Sequence, residues 1–81
     1  MEDQIFKISD IYVPAKRRRT LDQSTVDTVA ESILEEGQQM AIQCRQDGDR
    51  LVLVEGLHRL EACRSLGEET IIGILVQARR R

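Results

Sequence analysis

The residues best placed to do chemistry are Glu55, Gly56, Leu57, His58 and Arg59, which join an apolar run at 51–54 to a helical pattern. His58 is the single histidine of the chain. A helix N-terminus carries positive partial charge and normally favours Asp or Glu in its first turn. Two cationic side chains there work against the dipole, and a bound anion reverses that cost. Gly56 has no Cβ, so the chain can turn sharply and a ligand can approach its backbone. The amides of Leu57, His58 and Arg59 are the unsatisfied donors of a new helix, a ready cradle for an anion. Arg59 adds a two-pronged donor, and His58 can donate through either ring nitrogen. The expected occupant is a phosphate. Glu55 beside it is a candidate catalytic carboxylate, able to hold Mg²⁺ or accept a proton, with Asp10 or Asp22 as candidates to join it. Three plainer readings stand beside these: a Glu55–Arg59 surface pair at i,i+4 spacing, a solvent-facing His58, and a strand-end Glu55.

A second candidate group is the basic run containing Arg17, Arg18 and Arg19. It either closes over the same phosphate, touches DNA phosphates, or is a solvated charge run. Arg79, Arg80 and Arg81 read as a chain end or the start of a linker.

The elements that must position these groups follow from hydrophobic spacing. Ile5 to Ile8 alternate weakly, as a first strand would, and Ile11 and Val13 are expected inward before Pro14. Residues 14–21 read as a basic loop. Asp22 or Ser24 then caps a helix whose apolar stripe is Val26, Val29, Ala30, Ile33 and Leu34, with Gly37 as its left-handed stop. Residues 41–45 and 50–54 are strands, and the Asp47-Gly48 pair between them signals a hairpin. The second helix follows Gly56, buries Leu57, Leu60, Cys63 and Leu66, and ends at Gly67. Residues 70–76 form the last strand. The order is β-α-β-β-α-β, an α+β fold, read as one domain over residues 1–81.

Composition sets the bounds. A chain of 81 residues buries roughly 60–65% of its unfolded surface, too little for a large internal cavity. No apolar run approaches the ~20 residues that span a bilayer, and the acidic opening is unlike a secretory signal. A cytoplasmic protein with no membrane partner is expected. Net charge is −2, yet seven of the twelve basic residues lie in the two basic runs. Residues 20–78 carry eleven acids against four basic residues. General duplex binding by such a body is disfavoured, because it rests on many phosphate contacts. Cys44 and Cys63 have no metal spacing and fall on apolar faces, as buried structural thiols; a redox pair is the alternative.

The segment "LVLVEGLHRLEACRSLG", preceded by "TVAESILEEGQQMAI", resembles the ParB/sulfiredoxin superfamily. Its members share a strand, a glycine, a His or Arg pair and a helix, after a helix ending in Glu-x-Gly. The likeness runs from about Ile5 to Ile74 and places "VPAKRRRTLD" in the family's Arg-containing loop, which closes over phosphate. It is nearest to the small ParB-like domains whose junction reads Gly-x-His-Arg-Leu. The superfamily includes nucleotide-switch partition proteins, sulfinic-acid reductases, amino-acid kinases and nucleases. Partition proteins carry a Gly-Glu-Arg-Arg-x-Arg-Ala box here. Gly56, Arg59 and Ala62 match it, whereas Leu57, His58 and Glu61 depart from it, and two cations fewer weakens the case for CTP. The downstream phosphate-binding helix and helix-turn-helix module of those proteins have no counterpart before Arg81, so a self-sufficient DNA clamp is not expected. Sulfiredoxins place their catalytic cysteine just before the His-Arg pair, where this chain has Leu57. Sulfinic-acid reduction is not expected either.

The resemblance implies a phosphate or nucleotide-binding domain, its site formed by residues 56–59 and 17–19. The expected cofactor is a nucleoside triphosphate with Mg²⁺, its identity open. The expected role is DNA-linked: partition, plasmid or phage maintenance, or transcriptional control, with DNA reached through a partner or a further domain. A homodimer is one expected form. The alternatives are a metal-assisted nuclease or small-molecule phosphotransferase acting through Glu55, and an interaction domain that has lost its ligand. The sequence leaves open whether the chain is an enzyme.

Overall fold

The core forms between one face of a sheet and the helix packed on it, with a second long helix behind that one. The computed structural model describes residues 2–77, so the arginines at 79–81 lie outside the described residues. Strand β1 (Gln4–Lys7) leads through a 3-10 turn (Ile8–Asp10) to a two-residue strand β2 (Ile11–Tyr12), then a short helix α1 (Ala15–Arg18). Helix α2 (Gln23–Glu36), hairpin strands β3 (Ile42–Asp47) and β4 (Arg50–Glu55), helix α3 (Leu57–Ser65) and strand β5 (Thr70–Val76) follow. The predicted order is present as β1-α2-β3-β4-α3-β5, an α+β fold. Two elements are corrections to it: β2 and α1 occupy residues read as an inward-packing tail and a basic loop.

The sheet order is β1-β5-β3-β4-β2. Strand β1 runs antiparallel to β5, β5 parallel to β3, β3 antiparallel to β4, and β2 parallel to β4. Gly48 opens the two-residue hairpin turn with φ +61, and among the described residues only glycines take positive φ. Positive φ at the first turn position alone is the type II′ pattern. The Gln38 side-chain amide both donates to the Ile72 carbonyl and accepts from the Ile72 N–H, each at 2.8 Å. It extends the β3 ladder along β5 where the backbone itself is absent.

Asp22 is the N-cap of α2, its carboxylate accepting from the Thr25 amide and from the Ser24 and Thr25 hydroxyls. Those bonds hold its pKa below the ordinary 3.8, the Thr25 hydroxyl contributing most. At the other end Gly37 takes φ +80 and returns its N–H to the Ile33 carbonyl. Of the predicted stripe only Val26 is buried; Val29, Ala30 and Ile33 are half-buried, and Leu34 is exposed. Leu34 is a correction: α2 meets the body through α3 rather than the sheet, so a narrower stripe suffices. The core joins Phe6, Ile42, Cys44, Leu53, Leu57, Leu60, Cys63 and Ile71, among others.

Both thiols are free and buried, Cys44 at 0% exposure and Cys63 at 3%. Burial pushes the Cys44 thiol up to about 11 and raises Cys63 as well. They stay protonated at neutral pH and act as small hydrophobes. Cys44→Ala and Cys63→Ala should each cost about 1–2 kcal/mol through lost packing. Urea unfolding measures this, and phosphate binding by the folded variants should be unchanged.

Candidate functional site

Strand β4 ends at Glu55, and one residue, Gly56, turns the chain into α3. Gly56 adopts φ +110 and ψ 31. A Cβ built there would lie 2.6 Å from Ile42 Cγ2 and 3.2 Å from the Ile42 Cα. Glycine is therefore required by β3 packed against the turn, a reason different from the close ligand approach expected from sequence. Among the described residues no side chain caps the first turn of α3. Its first intrahelical bond runs from the Leu60 N–H to the Gly56 carbonyl at 2.9 Å. The amides of Leu57, His58 and Arg59 thus have no carbonyl one turn back. Leu57 contributes only this amide, for its side chain is buried in the core.

Helix α1 faces that helix start across a cleft of about 350 Å³ lined by Arg17, Thr20, Glu55, His58 and Arg59, with Val29, Gly56 and Leu57 behind them. Arg17 Nη1 donates to Glu55 Oε1 at 3.2 Å across the cleft. Glu55 is thereby paired with a residue of α1, in place of the Glu55–Arg59 pair that i,i+4 spacing suggested. Arg18 and Arg19 do not line this cleft. Arg18 borders a separate one with Ile11, Val13 and Leu21, and Arg19 is exposed. The reason is helical rotation: successive residues of a turn point about 100° apart, so one arginine of three faces α3. Arg17 is that residue. Thr20 and Val29 were not expected at the site. The Thr20 hydroxyl donates to the Arg17 carbonyl at 2.7 Å, closing α1 and bringing Thr20 to the cleft; its place directly after the basic run was the available signal.

His58 is half-buried rather than solvent-facing. Its Nε2 accepts from the Asp22 backbone N–H at 3.1 Å, tying the start of α2 to the start of α3. That nitrogen carries no proton in the bond, so one donor, Nδ1–H, is left for a ligand. The Asp22 carboxylate is spent on the α2 cap, and Asp10 sits in the 3-10 turn beside β2; neither lines the cleft with Glu55. Among the described residues no group of three or more His, Cys, Asp or Glu is arranged to hold a metal. A Mg²⁺ ion fits here only as Mg²⁺ usually binds, through one carboxylate, Glu55, together with the phosphates of its ligand. A larger cleft, about 480 Å³, lies away from this junction between Lys7, Arg64, Glu68 and Glu69. Its two carboxylates make it the poorer anion receptor, although it is the roomier space.

The Arg17–Glu55 pair is exposed and contributes about 0–1 kcal/mol to stability. Glu55→Gln should leave the melting temperature nearly unchanged. Metal-free inorganic phosphate should bind about fivefold more tightly, the equivalent of removing one like charge at about 4 Å in water. Calorimetry without Mg²⁺ reads this, and weaker binding would place Glu55 among the groups that hold the anion.

The ParB N-terminal domain family model matches residues 3–81. The chain belongs to that family. No curated protein matches the chain. Among solved structures, sulfiredoxin from Arabidopsis thaliana is similar at TM-score 0.86 and 27% identity, over 96% of this chain and 88% of that one. C-terminally truncated ParB from Caulobacter crescentus, complexed with CTP-gamma-S, is similar at TM-score 0.82 and 22% identity. That match covers 98% of this chain and 46% of the other. A free serine kinase in complex with ADP gives TM-score 0.81 at 16% identity, over 94% of this chain and 31% of that one. The domain therefore spans less than half of the partition protein and about a third of the kinase, and it shares their fold. Among the described residues no helix is long and apolar enough to cross a membrane.

Proposed function

We propose that this ParB N-terminal domain binds the phosphates of a nucleotide in the cleft between α1 and the start of α3. The observation that carries this reading is convergence: Arg17 and Arg59, from segments distant in sequence, line one cleft with the three α3 amides that have no carbonyl one turn back. Arg59 and Arg17 supply charge, the amides of Leu57 to Arg59 supply directed donors, and His58 adds Nδ1–H. Two proteins of this fold hold CTP-gamma-S and ADP, which supports a nucleotide over inorganic phosphate. Mg²⁺, when carried by the nucleotide, would neutralise its phosphates, with Glu55 as the protein's ligand.

Membership of the ParB N-terminal domain family supports a DNA-associated role, such as partition, plasmid or phage maintenance, or transcriptional control, with DNA contacted by a partner or another domain. The acidic body between residues 20 and 78 argues against general duplex binding by this chain itself. With random duplex at about 150 mM salt, affinity should be no tighter than the usual nonspecific range of about 10⁻⁴–10⁻⁶ M. Fluorescence anisotropy checks this, and sub-micromolar binding would reverse the assignment.

Calorimetric titration of nucleoside mono-, di- and triphosphates, with and without Mg²⁺, tests the main reading. At least one should bind, and competition by a second phosphate compound should place it at the same site. If none binds and none raises the melting temperature, the domain has kept the fold without the ligand and serves as an interaction module. Glu55 in the same cleft favours one second reading, hydrolysis or phosphoryl transfer with a divalent metal. Release of product during the titration with Mg²⁺ distinguishes it. Sulfiredoxin chemistry is disfavoured, since Leu57 stands at the start of α3 and both thiols are buried with raised pKa.

A further inference from the structure

Helix α3 packs on one face of the sheet with α2 behind it, and the other face carries a run of apolar residues among Lys7, Gln43 and Arg45. The register places Phe6, Ile42, Cys44, Leu53 and Ile71 toward the helices. Their alternates turn the other way: Ile5 opposite Ile72, then Ile74, and Val76 in line with Arg45 and Val52. Ile5 is 67% exposed, and Ile72, Ile74, Val76 and Val54 are half-buried. A sheet face turned to water usually carries polar residues in alternation, whereas β5 is apolar toward both sides, as strands covered on both faces are. At one end this face deepens into a groove of about 420 Å³, floored by Val52, Val54 and Val76 and rimmed by Lys16, Arg17 and Arg45. Among the described residues no acidic side chain lines it.

We propose that this groove is a docking site for an acidic amphipathic segment of a partner protein, its apolar side on Val54 and Val76 and its carboxylates on Lys16 and Arg45. Charge selects that occupant. Lys16 and Arg45 make no ion pair among the described residues, while Arg50 is taken by Asp47 and Arg17 by Glu55. A second copy of the chain packed symmetrically here would bring these cations toward one another, which disfavours self-association. A nucleic acid would meet the cations but leave the valine floor without an apolar partner. The inference is independent of the nucleotide reading, since of the groove residues only Arg17 also lines the phosphate cleft.

The test is selection of random 12-residue peptides on the full 81-residue chain, followed by titration of the enriched peptides. Enriched sequences should interleave Asp or Glu with Leu, Ile or Phe. They should bind about tenfold more weakly to a Lys16→Glu/Arg45→Glu variant, whose substitutions are on the rim and leave the core intact. A Val76→Asp variant, confirmed folded by circular dichroism, should lose them as well. Enrichment of basic or uncharged peptides, affinity indifferent to these substitutions, or no enrichment at all overturns the proposal. So does a dimer in sedimentation that Val76→Asp dissolves, or duplex binding that Lys16→Glu/Arg45→Glu abolishes.

Discussion

Gly56→Ala should destabilise the domain by about 2–6 kcal/mol. Two costs add. A non-glycine residue held at φ +110 pays about 1–3 kcal/mol of backbone strain. The new Cβ would also stand 2.9 Å from Ile42 Cβ and 3.2 Å from its Cα. Ile42 is 0% exposed and cannot swing aside, so β3 itself must shift, at a further cost of about 1–3 kcal/mol for overpacking. Gly48→Ala is the control. Gly48 also has positive φ, +61, but a Cβ there meets nothing within 4 Å. It should cost only the conformational part, about 1–2 kcal/mol. In a domain of this size about 1 kcal/mol shifts the melting temperature by about 4–8 °C. Thermal unfolding should therefore separate the two variants by several degrees or more. Equal melting temperatures would show that the Gly56 turn is not wedged against β3.

Hydrophobic period and turn chemistry carried most of this fold because most of it is locally determined. Asp22 caps α2 through residues two and three places on, Gly48 makes its own hairpin turn, and β5 reads directly from its apolar run. The elements that were not legible are those whose existence depends on distant residues. Strand β2 is two residues long and exists because Leu51 and Val52 pair with it. Helix α1 is a single turn starting after Pro14, a signal easily taken for a loop in so basic a stretch. The candidate site divides in the same way. Residues 56–59 are contiguous, so residue type and spacing place them together at a helix start. Which of Arg17, Arg18 and Arg19 joins them depends on the rotation of α1, and no spacing rule fixes that. The partners of Glu55 and His58 lie 38 and 36 positions away, beyond any local pattern. A sharp turn at Gly56 is readable from its residue type, but the crowding that demands glycine there comes from Ile42 on another strand.

Arg59→Ala should weaken binding of the phosphate ligand by about 1.5–3 kcal/mol, the range for a hydrogen bond to a charged group. That is roughly a 10- to 150-fold loss of affinity. Stability should change little, because Arg59 makes no ion pair or side-chain hydrogen bond among the described residues. Its guanidinium is thus available to a ligand without a rearrangement. Arg17 stands differently. Its guanidinium is already engaged by Glu55, so part of what it gains from an anion is offset by the carboxylate it leaves, and Arg17→Ala should cost less than Arg59→Ala. His58→Ala should also cost less in affinity, since Nε2 is occupied by the Asp22 amide and one donor is left. Unlike Arg59→Ala, it should lower the melting temperature, because the tie between α2 and α3 is lost. The measurement is a titration of the nucleotide that binds best, with inorganic phosphate as the fallback probe, against all three variants. The pattern matters more than any single value. Arg59 should dominate affinity with no loss of fold, and His58 should dominate stability with a smaller loss of affinity. If affinity survives Arg59→Ala intact, the anion is not held at the start of α3, and the amides of residues 57–59 are satisfied by water alone.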